Sequence, residues 1–280
     1  MHISLPFLKP KRRQPPPPAR RIGLALSGGA VRGIAHVGVL EILEREGIRP
    51  DYVAGVSAGS LVGALYCAGY TPAQIKTLAL EMRWGRLARP CRPHLSLFDA
   101  DRLEQQLNEL LGGKTFDQLA IPFAALSVDI LTSESVTLRA GSVARAVRAS
   151  CALPGIFQPV EWDGRLLIDG GILNNVPVSL AREMGADYII AVSLANLRVS
   201  RPRPRNVLEV WLASLDLLAR QVQQEAALAD CLIIPDVEAF NLADFRNASL
   251  LLERGRQAAE AHVERLRSDL GILLPASDVA

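Results

Sequence analysis

Asp51-Tyr-Val-Ala-Gly-Val-Ser-Ala-Gly-Ser60, followed at once by the apolar run Leu61 to Tyr70, reads as a short buried strand, a sharp turn and a helix. Gly55-x-Ser57-x-Gly59 sits at the turn. A strand-to-helix elbow strains the backbone of its central residue and lifts that hydroxyl above the sheet. Glycines two residues to either side let helix and strand approach where a Cβ would collide. The helix N-terminus beneath the serine offers N–H groups and the positive end of a dipole to developing negative charge. Alone, such a pattern arises by chance in roughly one chain in ten, and the bland alternative is a small-residue turn with a serine cap. The surrounding sequence decides.

With 280 residues, 49% of them hydrophobic, the chain can bury a large core, and the 5% aromatic content makes that core aliphatic. Lys9, Lys11, Arg12, Arg13, Arg20 and Arg21 give residues 1–21 a charge of +6 and leave −4 on the remainder. A mildly acidic folded part argues against a nucleic-acid partner. Met1 to Arg20 contains Pro15-Pro-Pro-Pro18 and is expected to be a flexible tail. A secondary expectation is that its positive charge draws the chain to anionic lipid surfaces as a peripheral contact. Cys67, Cys91, Cys151 and Cys231 are widely spaced, without a C-x-x-C pair, and read as reduced thiols of a cytoplasmic protein. Met1 to Leu8 is too short for a secretory signal. The uncharged run Tyr52 to Gln74 holds five glycines and prolines, which fits the elbow and its buried helix better than a membrane span.

Upstream, Arg21 to Leu26 is a first strand, Ser27-Gly-Gly-Ala-Val-Arg-Gly33 a glycine loop, and Ile34 to Glu46 a helix. Such a unit aims several backbone N–H groups at one point. A dinucleotide loop would need G-x-G-x-x-G, but Ala30 stands at the third position and Asp51 precedes its strand, so that reading fails. The alternative is an oxyanion loop serving Ser57, because two successive βα units bring both turns to one sheet edge.

Downstream, helices are expected from Pro72 to Met82, from Asp99 or Asp101 to Gly112, from Val143 to Ser150, from Val207 to Ala229 and from Ala248 to Leu270. Phe123–Ile130 and Ser135–Leu138 read as paired strands with Asp129 capping their turn; Arg165–Ile168, Asp187–Leu194 and Cys231–Ile234 read as further strands. Trp84 to Leu97 reads as an irregular flap or connection, and Arg198 to Arg205 as a basic linker. The alternation indicates an α/β fold with a largely parallel sheet, residues 21–270 forming the domain and 271–280 a C-terminal tail.

A serine nucleophile needs a base. Of the four histidines, His2 is in the tail, His36 and His262 lie on helices as packing or surface residues, and His94 lies in the flap, where position alone leaves it open. A Ser-His-Asp triad is poorly supported. Asp169, between an apolar strand and Gly170-Gly171, is the best-placed carboxylate, although Asp-Gly-Gly by itself is also an ordinary turn.

Gly28-Gly-Ala-Val-Arg-Gly33, Gly55-Val-Ser-Ala-Gly59 and Asp169-Gly-Gly171, in this order, together with Ala149-Ser-Cys-Ala-Leu-Pro-Gly-Ile-Phe157 and Ile168 to Pro177, resemble the patatin-like phospholipases over about Arg21 to Asp236. The resemblance implies a three-layer α/β/α fold with a mostly parallel central sheet. It also implies hydrolysis of fatty acyl esters of lipids by a Ser-Asp dyad, with no cofactor and no metal. On it, Ser57 matches the nucleophile, Asp169 the base, and Gly28, Gly29 and Ala30 the oxyanion loop. Arg32 matches a basic residue that either binds lipid phosphate or pins the loop. The chain departs from the family at Ala30, where a third glycine is usual; a positive φ there would add strain of roughly 1 kcal/mol. Acyl transfer through the same acyl-serine, and a non-catalytic lipid-binding scaffold, are the competing readings.

Overall fold

The computed structural model describes residues 20–83, 85, 88–91, 95–195, 203–222 and 224–272. The first nineteen residues of the expected tail, Trp84 and His94 of the expected flap, most of the basic linker and most of the C-terminal tail lie outside them. The strands are β1 (Ile22–Leu26), β2 (Tyr52–Val56), β3 (Arg89–Pro90), β4 (Ser96–Asp99), β5 (Phe123–Asp129), β6 (Glu134–Leu138), β7 (Gly155–Phe157), β8 (Val160–Trp162), β9 (Arg165–Asp169), β10 (Tyr188–Val192) and β11 (Cys231–Ile233). The helices are α1 (Ile34–Arg45), α2 (Ala58–Cys67), α3 (Pro72–Glu81), α4 (Asp101–Leu110), α5 (Val143–Ser150), α6 (Val178–Glu183), α7 (Val207–Gln221), α8 (Ala248–Glu260) and α9 (Val263–Leu270).

The main sheet runs β11-β10-β1-β2-β5-β9-β8, with β6 also paired to β5. Its β11, β10, β1, β2 and β5 are mutually parallel, as an α/β alternation demands. Both faces are buried, which is why these strands read as continuous apolar runs. Leu24, Leu26, Val53, Ile190 and Val192 face a core shared with α1, α2, α5 and α8. Ala25, Ala54, Ala124 and Ala191 face a thinner core under α6, where their small side chains let the helix settle close to the sheet. The result is the expected mixed α/β arrangement around a mostly parallel sheet.

Asp169 ends β9, which runs antiparallel to β5, and register brings it level with the elbow: Val56 pairs with Leu126, and the next residue of β5, Ser127, pairs with Asp169. Several expectations are corrected. The segment before Ala100 is not wholly irregular, because β4 pairs with β3 and, across a long sequence separation, with β7. The helix beginning at Val207 stops at Gln221, and Gln224–Leu228 continues as a separate 3-10 turn. The closing helix is two helices broken at Ala261-His262, where the His262 ring bonds back to the Ala258 carbonyl at 2.8 Å and competes with the backbone ladder. Arg20 lies 5.6 Å from the Tyr188 ring centroid, and Arg21 pairs with Asp187 at 2.9 Å.

Candidate active site

Ser57 joins β2 directly to α2 and holds φ 51°, ψ −123°, a conformation an L-residue adopts only under constraint. Two neighbours supply that constraint. The Ser57 N–H donates to Ser150 Oγ at 2.9 Å, and Ser150 Oγ donates to the Leu126 carbonyl at 2.7 Å, tying the elbow to β5 through the end of α5. The carbonyl of Ser57 accepts from the N–H groups of Ser60 and Leu61, which winds the first turn of α2. Gly59 is needed because a Cβ there would meet the Leu26 carbonyl, and one at Gly55 would lie 2.6 Å from Ser60 Cα.

Asp169 is buried beside this serine. Its Oδ1 accepts from the Gly171 N–H at 2.8 Å, and its own N–H donates to the Ala152 carbonyl at 2.9 Å. Burial pushes the carboxyl up to about 6, against the opposing pull of hydrogen bonds from the Ser57 hydroxyl and the Gly171 N–H. Cys151 lies close by, and burial, with Asp169's charge next, holds its thiol up at about 12, so it stays protonated at neutral pH.

The glycine loop and the serine line one cavity of about 710 Å³, whose lining includes Gly28, Gly29, Ala30, Ser57 and Asp169. The loop is held from three sides: Ser27 N–H to Val192 O, Gly28 N–H to Asn175 O at 3.3 Å, and Val31 N–H to Leu242 O. Gly28 therefore spends its amide on Asn175, whereas the amides of Gly29 and Ala30 have no acceptor among the described residues. The N–H of Ala58, first in α2, is a further unspent donor at the same place. Ala30 sits at φ 49°, so the departure from glycine falls where glycine is favoured.

Arg32 is buried. Its Nε donates to the Phe240 carbonyl at 3.0 Å, its Nη2 to the Glu238 carbonyl at 3.0 Å, and its Nη1 lies 3.4 Å from the Glu238 carboxylate. His36 is fully buried; its Nε2 bonds the Ser27 carbonyl at 2.9 Å, and burial lowers it to about 4, leaving a neutral ring that braces the loop from below. Neither His36 nor His262 is placed to accept a proton from Ser57. Asp129 takes the turn-capping part expected of it, accepting from Leu131 and Leu166 N–H and from the Thr132 hydroxyl. Among the described residues, no group of three or more His, Cys, Asp or Glu side chains could hold a metal ion.

Sequence reasoning misses Ser150, Asn175 and Cys151 as contributors to the site. Ser150 and Cys151 fall in a segment whose only signal is its likeness to a family connection, and Asn175 follows Asp169 by six residues in another. Nothing in their local pattern announces that they converge on the elbow.

Fold and site together define a class: an α/β protein with an elbow serine beside a buried carboxyl, both lining one apolar cavity. The chain belongs to the patatin-like phospholipase family, whose model matches residues 24–182. An uncharacterised NTE family protein of Mycobacterium tuberculosis is 34% identical over 215 residues, covering 75% of this chain and 58% of that protein. Patatin-like phospholipase domain-containing protein 6 of Homo sapiens is 35% identical over 185 residues, 62% of this chain and 13% of that one. The chain thus spans less than two thirds of the length of these relatives. In fold it is similar to VipD from Legionella pneumophila (TM-score 0.55, 14% identity, 89% of this chain and 67% of that one). It is similar also to ExoU from Pseudomonas aeruginosa (TM-score 0.52, 17% identity, 89% and 53%).

Proposed function

We propose that the chain is a serine esterase acting on fatty acyl esters of lipids, of phospholipase A or lysophospholipase type, through an acyl-serine formed at Ser57. The observation that carries this reading is the strained Ser57 backbone at the elbow with the buried, proton-hungry carboxyl of Asp169 beside it, both lining one apolar cavity. A carboxylate whose pKa lies near 6 is ionised at neutral pH yet is a far better proton acceptor than an exposed one.

In the first step Asp169 takes the Ser57 proton while Oγ attacks the ester carbonyl. The amides of Gly29 and Ala30, joined by that of Ala58, hold the tetrahedral oxyanion, each donor contributing about 3 kcal/mol. Gly28, whose amide is engaged with Asn175, shapes the loop. The carboxylic acid of Asp169 then protonates the departing alcohol or lysolipid oxygen. In the second step Asp169 takes a proton from water as the water attacks the acyl-serine; the bond to Ser57 Oγ breaks, Asp169 returns the proton to Oγ, and the fatty acid leaves. Arg32 pins the loop to the 238–240 segment; with its guanidinium buried and engaged, it is not available to a lipid phosphate.

A fluorophosphonate probe should label the chain and fail to label Ser57→Ala. Turnover of p-nitrophenyl esters should fall about 10,000-fold in Ser57→Ala and in Asp169→Asn. Full turnover by Asp169→Asn would exclude the dyad, and an unlabelled native chain would favour a scaffold.

A further inference from the structure

One side of α7 lines the cavity through Leu212, Leu215 and Ala219, spaced as one helical stripe. The opposite side is apolar too, and it faces solvent. Val207 is 86% exposed, and Val210, Trp211, Leu217 and Leu218 are each close to half exposed. The two stripes lie roughly 130° apart around the helix axis at 100° per residue. A helix apolar on both sides is normally covered on both, and a continuous exposed apolar patch marks an interaction surface.

The patch extends beyond the helix toward the site. The Trp211 ring packs against Gly155 of β7, and its Nε1 donates to the Pro154 carbonyl at 3.0 Å. Beside the helix, exposed Leu173 closes the turn that begins at Asp169. Exposed Arg203 and Arg205 stand just before the helix, at the Val207 end of this stripe. Apolar groups flanked by guanidinium groups match a layer of acyl chains beneath anionic headgroups. No helix of the described residues is long and apolar enough to cross a membrane, so this surface can rest on a bilayer without spanning it.

We infer that α7 is the membrane-facing roof of the cavity: its outer apolar stripe, with Leu173, beds into the surface of an anionic phospholipid bilayer. The inference rests on the reading of the site as a lipid acyl hydrolase. It adds where the lipid comes from: an acyl chain drawn from the bilayer passes under the helix that is bedded in it. The surface is distinct from the basic N-terminal segment.

The test separates docking from chemistry by measuring binding on full-length Ser57→Ala, which cannot turn over lipid. Sedimentation with vesicles of phosphatidylcholine and phosphatidylglycerol (3:1) should capture it, and pure phosphatidylcholine vesicles should capture less. Adding Val207→Ser, Leu217→Ser and Leu218→Ser should weaken partition at least tenfold. The same three changes in the otherwise native chain should leave p-nitrophenyl butyrate turnover within twofold, which also reports that it folds. Undiminished vesicle binding by the triple variant would overturn the proposal. So would binding lost on deletion of residues 2–19 but kept by the triple variant. A native chain that is dimeric without lipid, and monomeric when the three serines are present, would assign the face to a second copy and overturn it as well. Absent butyrate turnover by the native chain, with vesicle binding still sensitive to the triple change, would count against the site reading and in favour of the docking surface.

Discussion

At Asp169 one environment has opposite consequences for activity and for stability. In the proposed mechanism the carboxyl must be ionised to accept the Ser57 proton, so kcat/KM for a soluble ester should rise with pH through about 6 and then level off. For stability the sign reverses. The folded-state value lies above the ordinary 3.8, so folding favours the protonated form. The stabilisation it lends is fully present below about pH 4 and is lost as pH rises through 6. At pH 8 the buried charge costs on the order of 3 kcal/mol relative to a neutral group. Asp169→Asn keeps an oxygen for the Gly171 N–H and removes that charge. It should therefore be more stable than the native chain at pH 8, by up to about 3 kcal/mol, and equal to it near pH 4. Urea unfolding at the two pH values checks this, and an equal difference at both would mean that ionisation is not the cause. Ser57 and Asp169 are both legible in the sequence, because three glycine-flanked motifs keep one order along the chain. The partner of Arg32 is not, since Glu238 lies 206 residues away and only the folded chain brings them together.

Among the elements, the closest approach is between α1, which carries the glycine loop at its N-terminus, and α8. A Cβ at Gly38 would strike the Leu252 carbonyl, and one at Gly255 the Ala35 carbonyl, so each helix presents a glycine to the other's backbone. Gly255→Ala gains about 1 kcal/mol of helix propensity but must push backbone against backbone, an overpacking worth about 3 kcal/mol. The expected result is net destabilisation of about 2 kcal/mol in denaturant unfolding. A Gly255→Ala chain as stable as the native one would mean that α8 shifts freely away from α1. Local pattern finds most elements within a residue or two: Thr71 and Gln74 form the capping box that starts α3, and Ser142 caps α5. What it misses are pairings set by the whole chain. The antiparallel run of β9 and the pairing of β4 with β7 depend on partners far off in sequence, and the apolar Leu166-Leu-Ile168 of β9 does not mark it as antiparallel.

The whole molecule is arranged so that one cavity begins at the elbow and is walled by elements from most of the chain. Along α2 the lining residues are Ala58, Leu61, Val62 and Leu65, one face of the helix leading away from Ser57. At 1.5 Å per residue that face extends the apolar path by roughly 12 Å beyond the serine. There it meets Ile75, Leu78 and Ala79, one stripe of α3, and Met82 just past the helix end. A path of this length fits a long acyl chain laid beside α2, each methylene of which gains about 0.8 kcal/mol on burial. Across p-nitrophenyl esters from acetate to octanoate, kcat/KM should therefore climb about tenfold for every two methylenes added. Ala79→Phe places a ring in the far part of the path and leaves the neighbourhood of Ser57 untouched. It should cut kcat/KM for the dodecanoate ester at least tenfold and leave that for the butyrate ester within twofold. Equal losses for both esters would mean that the chain does not run along α2 toward α3. No loss for either ester would reverse the direction altogether and place the acyl chain toward Leu194 and Phe245, which line the cavity elsewhere.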